Sequence, residues 1–140
     1  MTDVVDVLVV DDDPDVREVL GLLLENDGYR VRQAADAAAA LKAIDELMPM
    51  CVLLDLEMPG MHGVELAREL RAREGASLVL ISVTGWMDAK QHEAAERAGV
   101  DFVLTKPLDP AKLRVMLPPL GRPAPRGEEK AAEAESSSAT

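Results

Sequence analysis

Four short apolar runs, each closing on a polar group, constrain this chain more than any other feature. Val52-Leu53-Leu54 ends in Asp55. Val7-Leu8-Val9-Val10 ends in Asp11 and Asp12. Ser77 to Val83 ends in Thr84-Gly85, and Phe102-Val103-Leu104-Thr105 ends in Lys106-Pro107. Runs this short, bounded by Pro, Gly and acidic residues, predict buried strands rather than helices. Strands that are apolar along their whole length need cover on both faces, as in a parallel sheet flanked by helices.

The segments between the runs have helical spacing. Asp13-Pro14-Asp15 supplies an N-cap, a proline in the first turn and an acid beside it. Val16, Val19, Leu20, Leu23 and Leu24 follow on one face, predicting a helix over 14–26 that Gly28 ends. Tyr29 to Ala34 alternates and predicts a short strand with one wetter face. Asp36 caps a second helix, whose inner face carries Ala37, Ala40, Leu41, Ile44 and Leu47. A third helix over 63–73 turns Leu66, Ala67 and Leu70 inward. A fourth, from Asp88 to Ala98, opens on Asp88 and Gln91 in the manner of a capping box. It offers mainly Ala94, Ala95 and Ala98 to the core, so it is expected to be the least firmly held helix. Asp109-Pro110 opens the last helix, with Leu113, Met116 and Leu117 inward and Pro118-Pro119 as the stop. Strand and helix thus alternate five times. Such a chain folds as an α/β, doubly wound parallel sheet with right-handed crossovers. Ligands bind such sheets at the carboxyl ends of the strands.

At 140 residues the chain is long enough for one domain with a real core. Residues 1–120 are expected to form that domain. Residues 121–140, rich in Pro, Glu, Ala and Ser, are expected to be a disordered tail. The formal net charge is −11; the tail holds three bases and four acids, leaving −10 on the first 120 residues. A domain that acidic argues against direct contact with nucleic acid or an anionic membrane. Cys51 is the one cysteine, so no intrachain disulfide exists and it reads as a small core hydrophobe. No run approaches the ~20 apolar residues that span a bilayer. Met1-Thr2-Asp3 lacks a basic signal-peptide start, so a cytoplasmic location is expected.

Asp11, Asp12, Asp55, Thr84 and Lys106 all fall at the carboxyl edge of the predicted sheet. Carboxylates brought together repel unless a cation sits among them. Oxygen donors without His or Cys suit Mg²⁺, which takes one or two carboxylates, keeps several waters and leaves room for a phosphoryl oxygen. Lys106 adds a positive charge and Thr84 a hydroxyl, a set able to stabilise a transferring phosphoryl group. Asp55, at the tip of the central strand, is best placed to attack. Each piece alone has a plainer role: acids are frequent caps, Thr84-Gly85 resembles an ordinary turn, and lysines are frequent on surfaces. Their coincidence at matching strand ends favours the chemical reading.

The segments Val9-Val10-Asp11-Asp12-Asp13, Leu54 to Gly63, Ser82-Val83-Thr84-Gly85 and Leu104-Thr105-Lys106-Pro107 resemble, in order and spacing, the four signature segments of response-regulator receiver domains. The resemblance implies a flavodoxin-like sheet of order 2-1-3-4-5, which receivers themselves commonly illustrate. It also implies that Asp55 accepts a phosphoryl group from a sensor histidine kinase or a histidine phosphotransfer protein. Asp12 would bind Mg²⁺ directly, Asp11 mostly through water, and the backbone carbonyl of Glu57 would be the third protein ligand. Thr84 and Lys106 would hold the phosphoryl oxygens, and the Lys106-Pro107 bond would be cis. The output would leave through the surface of the fourth helix, last strand and last helix. No helix-turn-helix or catalytic domain follows Leu120, so a stand-alone receiver is expected, a phosphoacceptor rather than a classical enzyme. Three features depart from the family pattern. His62 stands where receivers carry Asp. Val103 occupies the switch position of an aromatic residue, with Phe102 one place away and so on the opposite face. Trp86 and Glu57 stand at positions that influence loss of the phosphoryl group. Two other classes compete: a receiver-like binding module that works without phosphate, and a haloacid-dehalogenase-like phosphatase. The latter wants Asp-x-Asp, where this chain has Asp55-Leu56-Glu57.

Overall fold

The computed structural model describes residues 5–56, 63–85 and 89–119. The five strands are β1 (Val7–Val10), β2 (Val31–Ala34), β3 (Cys51–Leu54), β4 (Val79–Thr84) and β5 (Phe102–Thr105). They alternate with α1 (Pro14–Asn26), α2 (Ala37–Glu46), α3 (Gly63–Glu74), α4 (Ala89–Arg97) and α5 (Pro110–Met116). All pairings are parallel, in the order β2-β1-β3-β4-β5. Glu57, His62, Trp86, Asp88 and the tail 121–140 lie outside the described residues, and so do the expectations attached to them.

The caps form as the sequence directs. The side chains of Asp13, Asp36 and Asp109 accept from the backbone N–H of Asp15, Ala39 and Ala111 at 2.9, 2.7 and 3.0 Å. The predicted strand over 29–34 is shorter, because Arg30 N–H turns to the Asp6 carboxylate at 2.6 Å before ladder pairing begins at Val31. β4 extends one residue further than expected, so Thr84 is a sheet residue, paired in register with Thr105.

Alternation along the strands divides the core in two. Leu8, Val10, Val52, Leu54 and Leu80 meet α2, α3 and α4, where Ile44, Leu66, Leu70 and Ala95 are buried. Val7, Val9, Leu53, Ile81 and Leu104 meet α1 and α5, where Leu20, Leu24 and Leu113 are buried. Cys51 belongs to this second face; burial pushes its thiol up to about 12, which keeps it a packed hydrophobe rather than a nucleophile. Val19, expected inside, is 64% exposed. Its neighbour Gly21 is buried instead, and a Cβ there would meet Gln33 Nε2 at 3.3 Å, so α1 lies close over β2 at the glycine.

Arg71 has a structural role that its charge pattern in the sequence conceals. Its guanidinium donates to the carbonyls of Gly99 (2.7 Å), Gly75 (2.6 Å) and Leu78 (2.6 Å) and to Asp101 Oδ2 (2.7 Å). Asp101 Oδ2 also accepts from Leu80 N–H at 2.9 Å. The end of α3, the turn after α4 and the start of β5 are tied at one point. Gly99 has φ +98°, and a Cβ there would lie 2.7 Å from Arg71 Cγ, so both backbone and space require glycine.

Candidate functional site

The carboxyl ends of β1, β3 and β5 converge on one acidic cluster. Asp11 and Asp12 follow β1, and Asp55 follows β3, its N–H donating to Val10 carbonyl at 3.0 Å. One carboxylate oxygen from each of Asp11, Asp12 and Asp55 lies within 4.8 Å of the other two. Asp11 and Asp55 are buried and Asp12 is exposed. Lys106, directly after β5, brings its Nζ to 3.3 Å from Asp11 Oδ2 and 3.8 Å from Asp55 Oδ2. Its own N–H donates to Thr84 carbonyl at 2.7 Å, which fixes the start of the loop against the end of β4. The Lys106-Pro107 bond is cis. Asp11, Asp12, Asp55 and Lys106 are therefore brought together, and Thr84 lies fully buried at the adjacent strand end. The Glu57 carbonyl lies outside the described residues.

Local bonds hold the cluster in place. Asp11 Oδ1 accepts from Asp13 N–H at 2.9 Å, leaving Oδ2 toward Lys106. Arg17, one turn into α1, donates through Nη1 to the Asp11 carbonyl at 2.7 Å. The only sequence signal for Arg17 is its place one turn after the Asp13 cap. Gly63 is explained by close approach. A Cβ there would lie 2.2 Å from Asp55 carbonyl oxygen, so α3 can start this close to the end of β3 only with glycine.

Three carboxylates against the Lys106 ammonium leave an excess of negative charge in a half-closed site. The donors are all hard oxygens, and exposed Asp12 opens the cluster to water. That set fits a small divalent cation that keeps part of its hydration shell. Beside Lys106 runs an apolar cleft of about 300 Å³ lined by Val16, Val19, Leu20, Val83, Pro107 and Leu108. On β5, Val103 pairs in register with Ser82 and packs on the α4 side of the sheet. Phe102 is 41% exposed.

A family model for the response regulator receiver domain matches residues 7–118. The transcriptional regulatory protein FixJ of Azorhizobium caulinodans is 41% identical over 128 residues, which are 91% of this chain and 60% of FixJ. An uncharacterized 14.6 kDa protein of Leptolyngbya boryana is 39% identical over 109 residues, 77% of this chain and 83% of that protein. A response regulator receiver protein from Pseudomonas putida superposes with a TM-score of 0.75 at 32% identity, covering 83% of this chain and 97% of that one. No helix among the described residues is long and apolar enough to cross a membrane.

Proposed function

This chain belongs to the response-regulator receiver family, and from that premise we propose that Asp55 accepts a phosphoryl group from the phosphohistidine of a sensor kinase or phosphotransfer protein. The observation that carries the proposal is the gathering of Asp11, Asp12 and Asp55 within 4.8 Å, with Lys106 Nζ at 3.3 and 3.8 Å from two of them.

The chemistry follows from the placement. A carboxylate oxygen of Asp55 attacks phosphorus, the P–N bond breaks, and the imidazole leaves with the bonding electron pair and is protonated. The product is an acyl phosphate. Lys106 faces the oxygens that carry the shifting charge, and the Thr84 hydroxyl donates to another of them, so both act electrostatically without giving up a proton. Asp12 and Asp55 would hold Mg²⁺ directly and Asp11 through water, with the Glu57 carbonyl as a further ligand. That ion would offset the charge of the carboxylates and the phosphoryl group. The same groups serve hydrolysis, in which water attacks phosphorus, the P–O bond to Asp55 breaks and the carboxylate leaves with the bonding pair, releasing inorganic phosphate. The domain is thus a phosphoacceptor that assists its own modification, not a turnover enzyme.

Phosphorylation adds roughly −1.5 to −2 charges. The signal leaves by protein–protein contact through α4, β5 and α5; β5 and α5 flank Lys106 in the chain. The charge of −10 over the first 120 residues supports a protein target rather than nucleic acid.

The test is direct. Incubation with Mg²⁺ and acetyl phosphate is expected to add the mass of one phosphoryl group, and Asp55→Asn is expected to abolish the gain. Val103 at the switch position favours one competing reading, a binding module that works without phosphate. An unchanged mass in the native chain would select that reading.

A further inference from the structure

We infer that the Ser82 hydroxyl is a state-dependent hydrogen-bonding group that couples the site to α4. Ser82 is fully buried in the middle of β4, and among the described residues its Oγ has no hydrogen-bond partner. The reason lies in its neighbours. It pairs in register with Leu54 on one side and Val103 on the other. Leu80 precedes it on the same face of the strand. The helix packed over this face presents Ala95, with Ala98 just beyond. None of these side chains carries a polar atom.

A buried hydroxyl without a partner is costly, and alanine in its place would be free of that cost. The resting fold is held back by this group, and any arrangement that gives it a partner is favoured by the same amount. Such an arrangement is close at hand. Thr84 is the next residue on the same face, about 7 Å further along the strand. The helix above rests on alanine methyls and shifts at little loss of apolar contact. As Thr84 is drawn toward phosphoryl oxygens and α4 resettles over β4, the Ser82 hydroxyl becomes paired. Charge at the strand end is thereby converted into a choice between two packings of α4. The inference rests on the proposed roles of Asp55 and Thr84.

Ser82→Ala and the native chain would be compared in urea unfolding, and in calorimetric titration with beryllium fluoride and Mg²⁺, a phosphoryl mimic. The variant is expected to raise the resting folding constant roughly 5- to 100-fold, and to weaken the mimic by at least the same factor through linkage. No gain in resting stability would mean that the hydroxyl is already satisfied, and would overturn the inference. A gain with unchanged mimic affinity would also overturn it, because the hydroxyl would then be unpaired in both states. If the native chain itself fails to bind the mimic, the phosphoacceptor reading fails first and the coupling falls with it. That outcome is read from the native protein alone.

Discussion

The two flanks of the site are held by different forces. α1 and α5 are anchored along their length by large side chains: Leu20, Leu24, Leu113 and Leu117 are all buried against the sheet. Two polar ties reinforce that flank. Arg114 Nε donates to Asp27 Oδ2 at 2.7 Å, and Tyr29 hydroxyl donates to Pro118 carbonyl at 2.9 Å. Burial, with Asp27 nearby, pushes the Tyr29 phenol above its usual value, so it stays protonated as a donor. α4 differs. Ala95 is its one buried residue, and its firm attachment lies beyond its C-terminal end, where Arg71 holds the Gly99 carbonyl. Both flanks border the same acids, since α1 starts two residues after Asp12 and α4 follows closely on Thr84. In the proposed role, a chain that holds its carboxylates in a fixed cluster while passing on a change of charge benefits from one stiff flank and one compliant flank.

The largest effect that would test this contrast is on the stiff flank. Leu24→Ala deletes a fully buried side chain, and a loss of about 2–5 kcal/mol is expected in urea unfolding. A loss below about 1 kcal/mol would show that α1 is not anchored by apolar area. Next is the tie at the end of α4. Arg71→Met keeps the aliphatic stem and removes the donors to three carbonyls and to Asp101. A cost of about 1–3 kcal/mol is expected, with faster amide exchange over 89–101 and little change in α1. Equal acceleration in α1 would mean that the tie supports the whole fold rather than one end of α4.

The architecture was legible because the four strands that reach the site read as short, mainly apolar runs, and the helices carried caps at Asp13, Asp36 and Asp109. Asp11, Asp12, Asp55 and Lys106 were legible for the same reason: in a parallel sheet, residues that follow strands share an edge. What escaped were features decided by close approach. Val19 has the spacing of a core residue, yet α1 comes close to β2 at Gly21, and Val19 is left exposed, lining the cleft. The role of Arg71 has no sequence signal, because its acceptors include the carbonyls of residues 75, 78 and 99, which no pattern announces. Ser82 passed as part of a strand, since nothing in its spacing says that both lateral neighbours and the helix above are apolar.

The smallest effect is the most discriminating. Ala95→Gly removes the one buried methyl in α4 and adds backbone freedom in a helix interior, together about 1–2 kcal/mol of local stability. If α4 is a compliant unit tied mainly at one end, most of that loss appears as sub-global opening. Amide exchange across 89–97 is then expected to rise roughly 5- to 30-fold at the positions that open with the helix. The amides of α1 and the urea midpoint should move far less. A matched shift of the urea midpoint and of exchange throughout the sheet would mean that α4 unfolds only with the rest of the domain. That result would remove the compliance on which the contrast between the two flanks depends.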